Sequence, residues 1–229
     1  MEATQQRMTE GSIWKKITFF ALPIFLGNLF QQMYNTADSL IVGNFLGSNA
    51  LAAVSSSGSL IFLLIGFLSG IAIGAGVVIS RYFGARDDEN VQIAIHTTAA
   101  FGLVAGVLMT LVGVLLSPQI LVWMGTPDVV MDESLTYLQI YFMGSLGSVM
   151  YNIFVGTLQA MGDSKPPLSY LIASSIVNVV LDILFIAVFH AGVGGAALAT
   201  IISQFLSAFL CMFRLMKNKG CEKLYLRKI

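Results

Sequence analysis

Six long apolar runs divide this chain, and they constrain its fold more than any other feature. The runs cover residues 15–45, 51–80, 92–116, 133–160, 167–189 and 194–216. Roughly 20 apolar residues cross the hydrocarbon core of a bilayer as a helix, so each run is long enough to span it. A helix satisfies its own backbone hydrogen bonds in lipid. The sequence therefore predicts an all-α integral membrane protein built as a bundle of six transmembrane helices.

The composition supports a membrane protein and narrows its function. Charged residues make up only 10% of the 229 residues and hydrophobic residues 56%, whereas a soluble domain usually carries about 25% charged residues. The apolar runs contain no His-Glu-x-x-His pair, no serine–histidine arrangement and no cysteine nucleophile with a neighbouring base, which are signatures of hydrolytic sites. We therefore expect neither an enzyme nor a nucleic-acid partner.

The basic residues fall only at the termini and in every second connection between the runs. They are Arg7, Lys15, Lys16, Arg81, Arg86, Lys165, Arg214, Lys217, Lys219, Lys223, Arg227 and Lys228. The connections near 44–50, 117–132 and 190–194 contain none of them. Because lysine and arginine in short loops stay on the cytoplasmic side, the sequence predicts that both termini are cytoplasmic. It also predicts a cytoplasmic N-terminal tail over residues 1–12 and a transmembrane lobe over residues 13–217.

Asp38 and Asp182 are the acidic residues that lie deep within apolar runs. A carboxylate inside a membrane span costs roughly 2.5 to 3.5 kcal/mol on insertion scales, and it usually faces a protein interior or a water-filled cavity. At about 1.5 Å per residue, both aspartates lie about 12 Å from the outer ends of their helices, and Thr200 lies about 9 Å from its own. Asn178 is one helical turn from Asp182. Asp38, Asp182 and Thr200 therefore share one level of the membrane.

Together, the four residues predict a cation site. Two carboxylates, an amide and a hydroxyl form an oxygen-rich set that suits a hard cation such as Na⁺. The same set could instead hold a proton, since two neighbouring carboxylates in a dry site resist ionising together. The residues alone leave both choices open.

Other polar residues also recur at helical spacing within the runs. The first run carries Asn28, Gln31, Tyr34 and Asn35, and polar faces of this kind are expected to meet around a shared interior. The alternative is that the hydroxyl and amide side chains only hold the helices together by hydrogen bonds and have no functional role. In the second run, Gly66, Gly70 and Gly74 recur every fourth residue, which predicts close contact with another helix.

Four segments resemble the N-terminal half of a multidrug and toxic compound extrusion (MATE) transporter. They are Ala21–Gly47, Gly156–Leu168, Asn178–Ile186 and Gly192–Gln204. Members of that family carry two six-helix lobes and exchange Na⁺ or H⁺ for bulky, often cationic, organic compounds. By motif match, the cation site of the prokaryotic N-terminal lobe falls on the residues already selected by depth, namely Asp38, Asn178, Asp182 and Thr200.

The resemblance implies a secondary active antiporter that exports drugs or toxic compounds across a prokaryotic plasma (inner) membrane. It needs no cofactor beyond the coupling ion. Gln31, Tyr34, Asn35 and Asn152 are the candidates for lining the substrate path, and Pro23 is a candidate hinge in the first helix. A second six-helix lobe, in a longer chain or as a paired chain, is the implied partner. Residues 218–229 are then the start of a linker between the lobes.

Two alternatives to a whole transporter remain. The chain could be a half-size membrane module or assembly partner that transports nothing by itself. It could also resemble a lipid-linked oligosaccharide flippase of the same superfamily. That flippase is expected to carry basic residues in its interior for an anionic headgroup, and the interiors of these spans carry none.

Overall fold

A computed structural model describes residues 12–218 and 223–225, which fold into a helical bundle. Its helices are α1 (Ile13–Leu46), α2 (Ser48–Ala85), α3 (Asp88–Trp123), α4 (Asp128–Met143), α5 (Ser145–Ala160), α6 (Lys165–Asp182, continued by a π-helix over Ile183–Val188) and α7 (Gly192–Lys217). Five helices are long and apolar enough to cross a membrane, and α4 with α5 makes a sixth span if the bent pair is counted as one. The predicted all-α, six-span architecture is therefore confirmed. The predicted N-terminal tail falls almost wholly outside the described residues.

The fourth span is broken, so the prediction of one continuous helix over 133–160 is wrong. Helices α4 and α5 meet at Gly144 with a bend of 49°. A Cβ atom at Gly144 would lie 2.2 Å from Cγ1 of Ile201 on α7, closer than atoms can approach. Glycine is therefore required because α7 crosses directly over the break. The apolar pattern does not mark this break because apolar residues continue on both sides of Gly144.

The fifth span changes its helical type at Asp182. The α-helical part of α6 ends at this residue, and the chain continues as a π-helix over Ile183–Val188. Phe189 N donates to Leu184 O at 3.0 Å, the five-residue step of a π-turn. Isolated π-turns inside helices occur frequently at functional sites. The predicted span over 167–189 is present, but its last turns are wider than an α-helix.

Helix α5 occupies the centre of the bundle and packs against α2, α3 and α7. Its residue Gly156 lies so close to α2 that an added Cβ would be 3.0 Å from Ala72 O. In contrast, an added Cβ at Gly66, Gly70 or Gly74 would meet no atom within 4 Å. The predicted close helix contact through these α2 glycines is therefore absent from the described lobe, because this face of α2 points outward.

Several of the basic connections meet at one end of the bundle. Arg214, near the end of α7, forms an ion pair of 3.0 Å with Asp163 in the turn after α5. Gln92, near the start of α3, donates to Lys223 O beyond α7 at 3.0 Å. The charge pattern thus corresponds to one physical end of the lobe. Its assignment to the cytoplasm stays a prediction.

Candidate ion site and adjoining cavity

Two carboxyl groups meet inside the bundle. Asp38 enters from α1 and Asp182 from the junction between the α-helical and π-helical parts of the fifth span. The two side chains lie close enough to interact directly. Asp182 has no exposed surface and Asp38 is 8% exposed. Both predicted carboxylates therefore belong to one buried site.

Five buried polar atoms at this site have no hydrogen-bond partner among the residues that the structure describes. They are Asp38 Oδ1, both carboxyl oxygens of Asp182, and Oδ1 and Nδ2 of Asn178. More than nine in ten buried polar groups in proteins have a partner, so a cluster of unpartnered ones needs an explanation. A bound cation or proton at the carboxylates would satisfy most of these atoms at once.

Thr200 lies beside Asn178 in a small polar cavity next to the carboxylates. This cavity has a volume of about 10 Å³, which is room for about one water molecule. Tyr34 also lines it, and Gln204 Nε2 donates to the Tyr34 hydroxyl at 3.5 Å. The hydroxyls of Ser174 and Ser207 are hydrogen-bonded to each other at the same cavity. The structure thus brings Asp38 to Asp182 and Thr200 to Asn178.

A larger cavity of about 370 Å³ lies closer to the basic end of the lobe, between α1, α2, α5 and α6. Its polar lining residues are Asn28, Gln31, Ser69, Tyr151, Asn152, Gln159 and Ser164. Among the described residues, none of those that line it is charged. Leu171 of α6 lines both this cavity and the small one.

The residues predicted for a substrate path have different positions. Gln31 and Asn152 line the large cavity, as does the predicted hinge Pro23. Tyr34 lines the small cavity instead. Asn35 is exposed and lines neither cavity, and its Nδ2 donates to Gln32 Oε1 at 3.4 Å. The structure therefore does not bring Asn35 to the others.

Sequence reasoning missed four polar residues of the large cavity, namely Ser69, Tyr151, Gln159 and Ser164. Ser69 Oγ donates to Asn152 Oδ1 at 3.2 Å, while Asn152 Nδ2 donates to Ser148 O at 2.8 Å. These bonds fix the orientation of the Asn152 amide. Ser69 lies within an apolar run, but a lone serine is too common in membrane helices to be selected by type.

The donor set of the site is made of oxygen atoms. Within the described residues, no group of three or more histidine, cysteine, aspartate or glutamate side chains could hold a metal ion. Carboxylate, amide and hydroxyl oxygens favour hard cations over transition metals, which prefer nitrogen and sulfur ligands. The arrangement therefore suits a monovalent hard cation or a shared proton.

A multi-span bundle with buried carboxylates beside an uncharged cavity is the architecture of an ion-coupled membrane transporter. The profile of the MatE family matches residues 23–184 of this chain. The chain therefore belongs to the MatE family, whose members are transporters and not enzymes.

Individual relatives agree with this assignment. The probable multidrug resistance protein YoeA of Bacillus subtilis (strain 168) is 34% identical over 218 residues, which are 93% of this chain and 47% of YoeA. The multidrug export protein MepA of Staphylococcus aureus (strain bovine RF122 / ET3-1) is 27% identical over 209 residues, 91% of this chain and 46% of MepA. A crystal structure of MATE in the bent conformation matches with a TM-score of 0.88 and 27% identity, covering 96% of this chain and 49% of that one. The chain thus spans about half the length of its relatives.

Proposed function

We propose that this chain is the N-terminal six-helix lobe of a secondary active efflux transporter. The transporter exports organic, often cationic, compounds in exchange for Na⁺ or H⁺. It lies in a prokaryotic plasma membrane with both termini of this lobe in the cytoplasm. The observation that carries the proposal is the cluster of five polar atoms on Asp38, Asn178 and Asp182 that have no partner among the described residues, since a bound ion could be coordinated by the oxygen atoms of this cluster.

The coupling ion is held between the two carboxylates. Either Na⁺ is bound with the help of Asn178 Oδ1 and the Thr200 hydroxyl, or a proton is shared between Asp38 and Asp182. In both cases the repulsion between two buried negative charges is removed. Occupancy of the site then biases the bundle between two packings. Pro23 is the proposed hinge because proline removes a helical hydrogen bond within α1.

The organic substrate enters the large cavity of about 370 Å³. Gln31, Asn152 and Ser69 supply amide and hydroxyl groups there, and the remaining wall is largely apolar. Substrates are recognised in this lobe by hydrogen bonding and apolar contact, because the lining contains no charge. A second six-helix lobe, in the same chain or in a paired one, completes the path.

A non-transporting half-size module is the second candidate, since the described residues form a helical lobe with its own apolar core. The two candidates differ in whether a second lobe is encoded with this one, which the size of the native gene product decides. The flippase alternative gains no support, since no basic side chain lines the large cavity to meet an anionic headgroup.

The proposal is tested by the thermal stability of the detergent-purified chain. Melting is measured in NaCl and in choline chloride at equal ionic strength, across a range of pH, for the wild type and Asp182→Asn. An ion present at one hundred times its Kd stabilises the folded state by about 2.7 kcal/mol if it binds that state alone. Asp163→Asn is the matched control, because Asp163 is ion-paired with Arg214 outside the membrane spans.

Each outcome has a definite meaning. A Na⁺-dependent rise in melting temperature that Asp182→Asn loses and Asp163→Asn keeps supports a Na⁺ site. A pH-dependent rise that only Asp182→Asn loses supports proton coupling. The same melting temperature for the wild type and Asp182→Asn under every condition would remove Asp182 from ion binding.

A further inference from the structure

The chain turns back onto the bundle after α7. Leu224 is 1% exposed and joins the main apolar core, in which Ile95 of α3 and Leu215 of α7 also lie. Its backbone amide donates to Leu215 O at 3.2 Å. A residue this deeply buried is part of the folded lobe, although it lies seven positions beyond the last helical residue, Lys217.

Two polar side chains of α3 hold the backbone on either side of Leu224. Gln92 and His96 are four residues apart and therefore on one face of the helix. Gln92 Nε2 donates to Lys223 O at 3.0 Å, and the amide of Tyr225 donates to His96 Nε2 at 3.0 Å. One bond uses the backbone carbonyl of Lys223 and the other uses the backbone amide of Tyr225. Together they fix the position and the direction of this segment.

The protonation state of His96 follows from these bonds. A backbone amide can only donate, so Nε2 of His96 is the unprotonated, accepting nitrogen. The other ring nitrogen, Nδ1, then carries the proton and donates to Gln92 O at 2.7 Å. The imidazole is therefore held in one tautomer by its own helix, and its accepting nitrogen is oriented towards Tyr225.

Side-chain contacts add to the backbone bonds. The rings of His96 and Tyr225 are stacked, with centroids 6.2 Å apart and an interplanar angle of 15°. The Nζ atom of Lys223 lies 5.1 Å from the centroid of the Tyr225 ring. His96 itself is only 7% exposed. The sequence places His96 near the end of a span, but it does not reveal a partner 129 positions away.

We propose that Gln92 and His96 form a docking site for the segment that follows α7, with an extended peptide of this chain, residues 223–225, as its ligand. The site recognises the backbone of this segment together with an apolar side chain at position 224 and a ring at position 225. The folded lobe therefore does not end with α7, because residues 223–225 beyond it bind to the start of α3.

The test is residue-resolved hydrogen–deuterium exchange of the whole purified chain. We expect slow exchange of the Leu224 and Tyr225 amides in the wild type. His96→Phe keeps a ring for stacking but removes the acceptor, and it should speed exchange at Tyr225 about tenfold, the usual effect of losing one hydrogen bond. Gln92→Met keeps the side-chain length, removes the donor, and should speed exchange at both amides.

Thr97→Val is the matched control. Thr97 is the next residue of α3, is exposed, and should leave exchange at Leu224 and Tyr225 unchanged. The melting temperature of each variant shows whether the lobe itself remains folded. The wild type alone can overturn the proposal. It would do so if the amides of residues 224 and 225 exchanged at the rate of an unstructured peptide. If the Tyr225 amide exchanged equally slowly in the wild type and in a folded His96→Phe variant, the role of His96 would be overturned.

Discussion

The carboxyl groups of Asp38 and Asp182 are neighbours inside the bundle, although they lie on the first and fifth spans. Three of their four oxygens have no hydrogen-bond partner among the described residues. Burying a charge without a partner is costly, and two like charges make the cost greater. If both carboxyl groups were ionised they would repel each other, and in the proposed mechanism a bound cation or proton removes this repulsion.

Removing one of these charges should relieve this repulsion. In Na⁺-free buffer near neutral pH, we expect Asp182→Asn to melt at the same temperature as the wild type or a few degrees higher. The physical reason is that asparagine has almost the same shape as aspartate but carries no charge. A decrease of more than about 3 °C, equivalent to about 1 kcal/mol for a chain of this size, would mean that the Asp182 carboxylate has a stabilising partner.

Gly144 should be intolerant of a side chain. In Gly144→Ala the new Cβ would lie 2.2 Å from Ile201 Cγ1 and 2.5 Å from Ile201 Cγ2, so α7 must move away from the break between α4 and α5. Overpacking of this kind typically destabilises a fold by about 1 to 3 kcal/mol. Thermal unfolding of the purified variant measures the loss.

The control for this substitution is Gly70→Ala. An added Cβ at Gly70 meets no atom within 4 Å, and alanine favours a helix over glycine by about 1 kcal/mol. We expect this variant to melt at or slightly above the wild-type temperature. If both variants lost equal stability, the contact with Ile201 would not be the cause.

Gln31 should contribute to binding an organic substrate, and Asn35 should not. Gln31 lines the large cavity, while Asn35 lies one helical turn further along α1 and lines neither cavity. With ethidium as a planar cationic probe, we expect Gln31→Ala to raise the Kd about tenfold, the effect of losing one hydrogen bond. Fluorescence titration of the purified chain measures it. An equal effect from Asn35→Ala would contradict this assignment.

The Cys211 thiol should not react with thiol reagents in the folded lobe. It is a free thiol with no exposed surface. In a Cys221→Ser background, we expect a maleimide to label Cys211 only after denaturation, because the reagent cannot reach a fully buried sulfur. Mass spectrometry before and after addition of denaturing detergent checks this. Rapid labelling of the native chain would show that α7 opens on the time scale of the reaction.

The sequence was sufficient for the class of fold and for the main members of the candidate site. An aspartate inside an apolar run is so costly that few positions can carry one, so Asp38 and Asp182 could be selected by type and depth alone. Asn35 was selected by spacing and is not at either cavity. Asn35 precedes Asp38 by three residues, which advance a helix by about 300°, so the two side chains point roughly 60° apart. The spacing therefore could not decide which edge of the polar stripe faces inward.

Other features depend on contacts that no local pattern contains. The break at Gly144 lies against Ile201, 57 positions later in the chain, and apolar residues continue on both sides of it. The change to a π-helix after Asp182 occurs within a uniformly apolar segment. The docking of residues 223–225 on Gln92 and His96 joins polar groups that look unremarkable on their own.

Leu171 offers a way for ion binding and substrate binding to influence each other. Its side chain forms part of the wall of both the water-sized cavity beside Asn178 and the large uncharged cavity. A leucine can change rotamer far more readily than a helix can move. A change of the Leu171 rotamer would therefore alter the walls of both cavities at once, so a molecule bound in one cavity could change the space in the other without a movement of α6.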